Sequence, residues 1–354
     1  MLHFIPIFDK QNTLIISMYS LTIVKDRWRR FRVLNWIRIV NIVKLQLGFK
    51  WRRMLRGAMP MSVSIEPTTS CNLRCPECPS GLRSFTRPTG MIKIEMVEDI
   101  MAQLGKWLVY VNLYFQGEPY LHKGMDLMVK ECKKNGVYTS TSTNAHHLKP
   151  ERAESLVASG IDRLIISIDG TTQETYASYR VGGNLDKVLE STKNVLKARR
   201  VSGGETPFVV WQFLVVKPNE HQVSEIQSLA KEYGVDEVVI KTAQLDDPHD
   251  DHPLLAENPK YRRYDKDLKS GTWKIRNPMK NECWRMWGGL VITWDGKIVP
   301  CCFDKDAKHE MGKANDIAGV WSGDKYKSFR NEIFTDRKSI DMCTNCSEGT
   351  DTYA

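Results

Sequence analysis

The chain has 354 residues, of which 42% are hydrophobic and 26% charged, and its formal net charge is +9. This length predicts one large α/β domain with a smaller second unit, and the composition excludes a mostly disordered chain and a polytopic membrane protein. Residues 25–56 hold eleven Lys or Arg residues and a single acid, Asp26, so the rest of the chain is close to neutral. A general nucleic-acid-binding surface is therefore not indicated, and no nucleic-acid partner is predicted.

The N-terminal extension contains the pattern of a basic amphipathic helix. Between Trp28 and Leu47, apolar residues recur at helical spacing with cations between them, and Gly48 is expected to break the helix. Two roles fit such a helix: attachment to an anionic membrane surface, or packing of its apolar stripe against the neighbouring domain. We favour packing, because Ile- and Val-rich stripes are typical of docking faces.

Short apolar runs and amphipathic segments alternate from residue 61 onward. The runs typical of strands are Met61–Glu66, Leu108–Phe115, Val137–Thr141, Arg163–Ile168, Phe208–Val216 and Glu237–Lys241. The helical patterns are Lys93–Leu104, Gly124–Lys134, Pro150–Ser159, Leu185–Arg199 and Glu220–Tyr233. This alternation predicts a parallel sheet or barrel, in which the active site lies at the carboxyl ends of the strands.

Three cysteines follow the first predicted strand in the sequence Cys71-Asn-Leu-Arg-Cys75-Pro-Glu-Cys78. Zinc would require a fourth protein ligand, and none lies nearby in the sequence. A [4Fe–4S] cluster held by three cysteines leaves one iron open for a substrate or cofactor. A zinc site completed by a distant cysteine is the alternative. The odd total of nine cysteines and the lack of a secretory leader pattern predict a reducing cytoplasm.

This cysteine loop resembles the signature of the radical S-adenosylmethionine (SAM) enzymes, and the resemblance extends over about residues 60–245. It implies a partial (β/α)6 TIM-type barrel in which Cys71, Cys75 and Cys78 bind a [4Fe–4S] cluster whose open iron binds SAM. It also implies reductive cleavage of SAM to a 5′-deoxyadenosyl radical, with an electron donor such as flavodoxin or ferredoxin. The chain departs from the family at Glu77, where an aromatic residue that packs on adenine is usual.

Further motifs resemble the SAM contacts of the family. Gln116-Gly117-Glu118-Pro119 is similar to the GGEP motif, with Gln116 in place of the first glycine, and implies that Gly117, Glu118 and Pro119 bind the SAM amino group. The other contacts implied by the resemblance are Asn144, Ser167, Asp169 and Arg180, the last directed at the SAM carboxylate. Each of these residues is also typical of a turn or a helix cap. No catalytic acid or base is indicated.

The C-terminal cysteines form a second set. The segment from Cys283 through Gly296 to Cys301 resembles the opening of a SPASM domain, and it contains a predicted hairpin turned at Asp295-Gly296. With Cys343 and Cys346 it provides four thiolates, enough for one auxiliary [4Fe–4S] cluster. A full SPASM domain has seven cysteines, so a shortened domain with one cluster is predicted, and structural zinc is the alternative.

Two cysteines lie outside these ligand sets. Cys302 is either a substitute ligand for Cys301 or a buried thiol. Cys132 lies in an amphipathic helix and is predicted to be a small core residue.

These features predict four segments: an N-terminal extension at 1–56, a radical SAM core at 57–250, a linker at 251–282 and a SPASM-like domain at 283–354. The resemblance implies a cytoplasmic enzyme, with peripheral membrane contact as an option, that abstracts hydrogen from a peptide or protein. The alternatives are a radical SAM dehydrogenase of a small polar metabolite and a non-enzymatic zinc-binding interaction protein.

Overall fold

The computed structural model describes residues 18–276 and 279–346. Residues 1–17 of the predicted extension, residues 277–278 of the predicted linker and the last eight residues lie outside the described residues. The α-helices are α1 Met18–Arg32, α2 Trp36–Lys50, α3 Pro79–Leu82, α4 Ile94–Leu104, α5 Met125–Lys134, α6 Pro150–Ala158, α7 Gln173–Tyr179, α8 Leu185–Val201, α9 Val223–Tyr233, α10 Trp284–Gly288, α11 Ile317–Ser322 and α12 Asp324–Asp336. The 3-10 helices are Pro119–Leu121, Lys217–Gln222, Pro259–Tyr261, Ala314–Asp316, Arg337–Ser339 and Asp341–Cys343.

The strands are β1 Ser62–Ile65, β2 Tyr110–Asn112, β3 Tyr138–Thr143, β4 Arg163–Ser167, β5 Phe208–Val215, β6 Glu237–Thr242, β7 Tyr264–Lys266, β8 Trp273–Ile275, β9 Gly289–Ile292, β10 Lys297–Val299 and β11 Gly312–Lys313. Strands β1 to β6 are parallel and adjacent in chain order, because helical crossovers connect them. All six strands predicted in the core are confirmed. The fold is the partial (β/α)6 barrel, and Cys132 is fully buried in its core as predicted.

The C-terminal segment continues the same sheet. Strand β9 pairs in parallel with β1, from Ser62 opposite Gly289 to Ile65 opposite Ile292. Strands β9 and β10 form the predicted antiparallel hairpin, in which Gly296 adopts a φ of 78° at the turn. The hairpin therefore adds to the barrel sheet at the side of β1.

The predicted linker contains a short two-stranded sheet. Strands β7 and β8 pair antiparallel within residues 251–282, with Tyr264 opposite Ile275. Asp267 accepts hydrogen bonds from the backbone N–H groups of Lys269 and Ser270 and so closes the turn between the strands. Three-residue strands give too short an alternation to be recognised in a sequence.

The prediction of one helix from Trp28 to Leu47 is wrong, because the chain breaks between α1 and α2. Asn35 caps α2, and its side-chain oxygen accepts a hydrogen bond from Arg38 N at 3.0 Å. Gly48 lies inside α2, which ends two residues later at Lys50, close to the predicted break.

Helix α2 also packs on a different face from the predicted one. Its buried residues are Arg38, Asn41, Leu45 and Gly48. The Arg38 guanidinium donates to the carbonyl oxygens of Gly105 (3.0 Å), Asn135 (2.6 Å) and Gly136 (2.7 Å), which lie at the carboxyl ends of α4 and α5. Helix ends leave backbone carbonyls without partners, so a buried arginine packs there at low cost.

The predicted apolar stripe of α2 is therefore largely exposed. Trp36 is 77% exposed, and Ile37, Val43 and Leu47 are also exposed. None of the described helices is long and apolar enough to cross a membrane.

Candidate functional site

The three-cysteine loop lies at the carboxyl ends of the barrel strands. Cys71, Cys75 and Cys78 line one cavity of about 130 Å³. Arg74 N donates to the carbonyl oxygen of Val181 at 2.9 Å and ties the loop to the segment after α7. Gly81 packs so closely that a Cβ there would lie 2.5 Å from the Cys75 carbonyl oxygen.

The donor chemistry of this loop fits an iron–sulfur cluster. Burial raises the pKa of the Cys71 thiol to about 11 and also raises the pKa of the Cys75 thiol. A deprotonated sulfur at these positions therefore needs positive charge nearby, and iron supplies that charge. Thiolates are also ligands that favour soft metals and iron–sulfur clusters. In the described residues, no group of three or more Cys, His, Asp or Glu side chains forms a ready cage for a single metal ion.

The backbone at Gly117 requires glycine. Its φ is 72°, and a Cβ there would lie 2.2 Å from the Thr68 carbonyl oxygen. Gly117 N donates to the Ser80 hydroxyl at 2.8 Å, and Glu118 N donates to the Ser70 carbonyl oxygen at 2.7 Å. The predicted motif is thereby held against the segment that leads into the cysteine loop.

The Glu118 carboxylate joins the ends of two neighbouring strands. Its side chain is almost fully buried and accepts hydrogen bonds from Tyr120 N (3.0 Å), Thr143 Oγ1 (2.6 Å) and Asn144 N (2.7 Å). Burial raises the pKa of Glu118, and these donors oppose that rise. A carboxylate has about four lone-pair sites, so this arrangement leaves room for one more donor, such as an amino group.

Asp169 and Arg180 form a buried pair beside the cysteines. Arg180 Nε donates to Asp169 Oδ2 at 2.5 Å, and Leu214 N donates to Asp169 Oδ1 at 2.7 Å. Arg180 Nη1 lies 3.8 Å from Cys75 Sγ. Burial raises the pKa of Asp169, while the Arg180 charge lowers it. Asp169 thus positions the arginine and does not itself line the cavity.

Five of the seven predicted SAM-contact residues line the cavity of the cysteine loop: Gly117, Glu118, Asn144, Ser167 and Arg180. Pro119 and Asp169 do not line it; Pro119 begins a 3-10 helix. The sequence analysis did not identify Ser80, Tyr114, Phe115 and Ser142, which line the same cavity. The positions of Tyr114 and Phe115 in the sequence could have indicated them, because both come just after β2. Site residues such as Asn144 likewise come just after a strand.

Glu77 lies away from this cavity. Its carboxylate accepts a hydrogen bond from Asp246 N at 3.0 Å and lies 3.5 Å from the ring of His252. Glu77, which stands where the family usually has an aromatic residue, therefore links the cysteine loop to the loop after β6.

The four cysteines of the second set are all buried. Cys283 precedes α10, Cys301 follows β10, and Cys343 and Cys346 lie at the end of the described chain. Cys302, which follows Cys301 in the sequence, is half-buried and accepts a hydrogen bond from Arg285 Nη1 at 3.4 Å. The hydrogen bond with Cys302, followed by burial, raises the pKa of the Cys301 thiol.

Arg337 is a further residue of this set that the sequence did not indicate. It is fully buried, and its Nη2 donates to Cys346 Sγ at 3.3 Å. Its Nη1 donates to the carbonyl oxygen of Glu282 at 2.8 Å. A fixed positive charge therefore faces the sulfur atoms, an arrangement that stabilises negative charge on thiolates or on a bound cluster.

A larger cavity of about 450 Å³ lies inside the barrel between β6 and β9. Cys301 and Cys302 line it, and Tyr114 lines both this cavity and that of the cysteine loop. We refer to this larger space as the barrel cavity. The barrel cavity thus shares one wall residue with the cavity of the cysteine loop and reaches the second cysteine set at Cys301.

Two family models match the chain. Residues 65–230 match the model described as the radical SAM superfamily, and residues 283–347 match the model of an iron–sulfur cluster-binding domain, SPASM. The second match begins at Cys283 and includes all four cysteines of the C-terminal set.

The chain is similar to several characterised proteins. It is 25% identical over 326 residues to the tungsten-containing aldehyde ferredoxin oxidoreductase cofactor-modifying protein of Pyrococcus furiosus, covering 80% of this chain and 86% of that protein. It is 30% identical over 176 residues to the mycofactocin maturase of Mycobacterium tuberculosis, of which the match covers 43%. Streptococcus suis SuiB bound to its precursor peptide SuiA shares the fold, with a TM-score of 0.60, 16% identity and coverage of 86% and 73% of the two chains.

Proposed function

The chain belongs to the radical SAM superfamily, and from this we propose that it modifies a peptide or protein substrate through hydrogen abstraction. Its core binds a [4Fe–4S] cluster and SAM, and its SPASM domain implies an auxiliary iron–sulfur cluster. When bound, the core cluster and SAM supply reductive cleavage of SAM and hydrogen abstraction. We propose the same division of the chain as above, with the core at 57–250 and the cluster domain at 283–354.

The roles of the site residues follow from their contacts. Cys71, Cys75 and Cys78 hold the core cluster, since their sulfur atoms line one cavity at the strand ends. The Glu118 carboxylate accepts a hydrogen bond from the SAM amino group at its remaining lone-pair site. The Arg180 guanidinium, which Asp169 holds in place, binds the SAM carboxylate. Asn144 and Ser167 provide further polar contacts from the ends of β3 and β4.

The position of the barrel cavity is the observation that carries the proposal. The barrel cavity shares Tyr114 with the cavity of the cysteine loop, and Cys301 lines it. A substrate carbon held there would lie between the cluster that starts hydrogen abstraction and the auxiliary cluster that accepts the remaining electron. The cavity volume of about 450 Å³ suits one or two side chains of a peptide. The named maturase and the peptide complex of SuiB favour this substrate class.

A small polar molecule is the second candidate substrate. The Pyrococcus relative, which matches over most of both chains, is named as a cofactor-modifying protein. Polar side chains such as Ser64, Asn112 and Gln212 line the barrel cavity and suit a hydroxylated molecule.

Deuterium transfer distinguishes these substrates. The reconstituted protein, incubated anaerobically with SAM and dithionite, is expected to form 5′-deoxyadenosine. With deuterated candidate peptides, deuterium should enter the 5′-deoxyadenosine, and mass spectrometry should show a modified peptide. Deuterium transfer from small polar metabolites, and from none of the peptides, would assign the second substrate class instead.

We further propose that α1 and α2 contact an anionic membrane surface. Trp28 is 64% exposed and Trp36 is 77% exposed, and both lie in the basic segment of residues 25–56. Each surface cation contributes about 1 kcal/mol of attraction to anionic lipid at low salt. Helix α2 docks through Arg38, Asn41 and the buried Leu45, which leaves most of the predicted apolar stripe exposed.

Flotation with lipid vesicles tests this contact. The protein is expected to float with phosphatidylserine-containing vesicles and not with neutral ones, and the double variant Trp28→Ser/Trp36→Ser should lose flotation. Leu127→Ser is the matched control, because Leu127 is 55% exposed on α5, outside the basic region. Equal flotation of the double variant and the wild type would contradict the proposal.

A further inference from the structure

The barrel cavity is lined by cations and by no carboxylate. Its lining includes Arg30 from α1, Arg163 from β4, Lys241 from β6 and Arg285 from α10, and no Asp or Glu of the described residues lines it. Four cationic side chains that line one cavity repel each other, and nearby negative charge offsets this repulsion. The location of the balancing charge therefore shows which cations are available to a ligand.

Carboxylates outside the cavity pair with Arg30 and Arg163. The buried Asp26 lies 2.7 Å from Arg30 Nη2 and 3.0 Å from Arg163 Nη1. Arg163 also pairs with Glu237 at 2.6 Å. These ion pairs lie at the end of the barrel that faces α1. Arg30 and Arg163 are therefore part of the cavity wall, with their charges already paired.

Lys241 lacks such a partner. No hydrogen bond or ion pair joins its ammonium group to any residue in the described part of the chain. Desolvation by the surrounding protein lowers the pKa of Lys241, and the charges of Arg285, Arg263 and Arg163 lower it further. Glu237 opposes this effect, but its carboxylate is already paired with Arg163. The Lys241 side chain is exposed in the cavity that it lines, so its ammonium group is accessible to a bound anion.

We propose that Lys241 and Arg285 form an anion-binding subsite in the barrel cavity, which takes a carboxylate or phosphate group of the substrate. This inference rests on the proposed function, because it concerns the same cavity. Arg285 also donates to Cys302, so the subsite lies on the side of the second cysteine set. The anion anchors the substrate there, and the rest of the substrate extends toward Tyr114 and the cysteine loop.

Binding of matched acidic and neutral probes tests the subsite without turnover. The probes are N-acetylglutamate methylamide, its glutamine counterpart and inorganic phosphate, titrated calorimetrically into the reconstituted protein with SAM under anaerobic conditions. The wild type is expected to bind the acid or phosphate about tenfold more tightly than the amide. Lys241→Gln and Lys241→Met should remove this preference, and Lys241→Arg should keep it. Lys231→Gln, on the exposed surface of α9, is the control.

The outcomes separate the two anion sources. Tighter binding of the glutamate probe assigns a carboxylate, and tighter binding of phosphate assigns a phosphorylated substrate; either supports the subsite when it depends on Lys241. A wild type that does not prefer either anion to the amide overturns the proposal, and so does an unchanged preference in both Lys241 variants with wild-type iron content. Because the titration measures binding only, it stands even where no peptide is modified.

Discussion

Replacing Cys71, Cys75 and Cys78 together by alanine should abolish 5′-deoxyadenosine formation and remove about half of the iron. The wild type is expected to carry about eight irons per chain after anaerobic reconstitution, four for each cluster. The triple variant should keep about four, because the second cysteine set lies at a separate site. Iron analysis and chromatography of the SAM cleavage products provide the two measurements.

Cys132→Ala is the matched control for this variant. Cys132 is fully buried in the barrel core and lines neither cavity, so its replacement should change neither the iron content nor SAM cleavage. Continued formation of 5′-deoxyadenosine by the triple variant under dithionite would show that the cluster assignment is incorrect.

Replacing Cys343 and Cys346 together by alanine should remove the other half of the iron while SAM binding persists. The whole sequence has five cysteines beyond Cys132, and two fully thiolate-ligated clusters would need eight. One auxiliary cluster is therefore expected, and SAM binding, measured by calorimetry, should remain within about twofold of the wild type. A wild type with near four irons and bound zinc would instead indicate a zinc-stabilised domain.

The features that the sequence predicted correctly are local ones. The six core strands and the hairpin at Asp295-Gly296 each depend on a few consecutive residues, whose apolar pattern and turn chemistry are visible in any one segment. The motif residues Gly117 and Glu118 are brought together with the cysteines because parallel strands end on one side of a sheet.

The features that the sequence did not predict depend on distant partners. Arg38 is one of the cations of the basic N-terminal segment, yet it is buried against carbonyl groups about 70 and 100 residues away. Arg337 gives no sequence signal, since its role depends on the position of Cys346 in three dimensions. The roles of Asp169 and Arg285 likewise depend on which cavity each side chain reaches. Single-segment patterns contain no such information.

The pairing of β9 with β1 has a consequence for the nascent chain. Strand β1 emerges early in synthesis, but its parallel partner β9 is made more than two hundred residues later. At about 5–20 residues per second, the β1 edge stays unpaired for on the order of ten seconds or more. An unpaired strand edge is a template for aggregation, so a ribosome-bound chain of this protein needs shielding at β1 until the hairpin arrives.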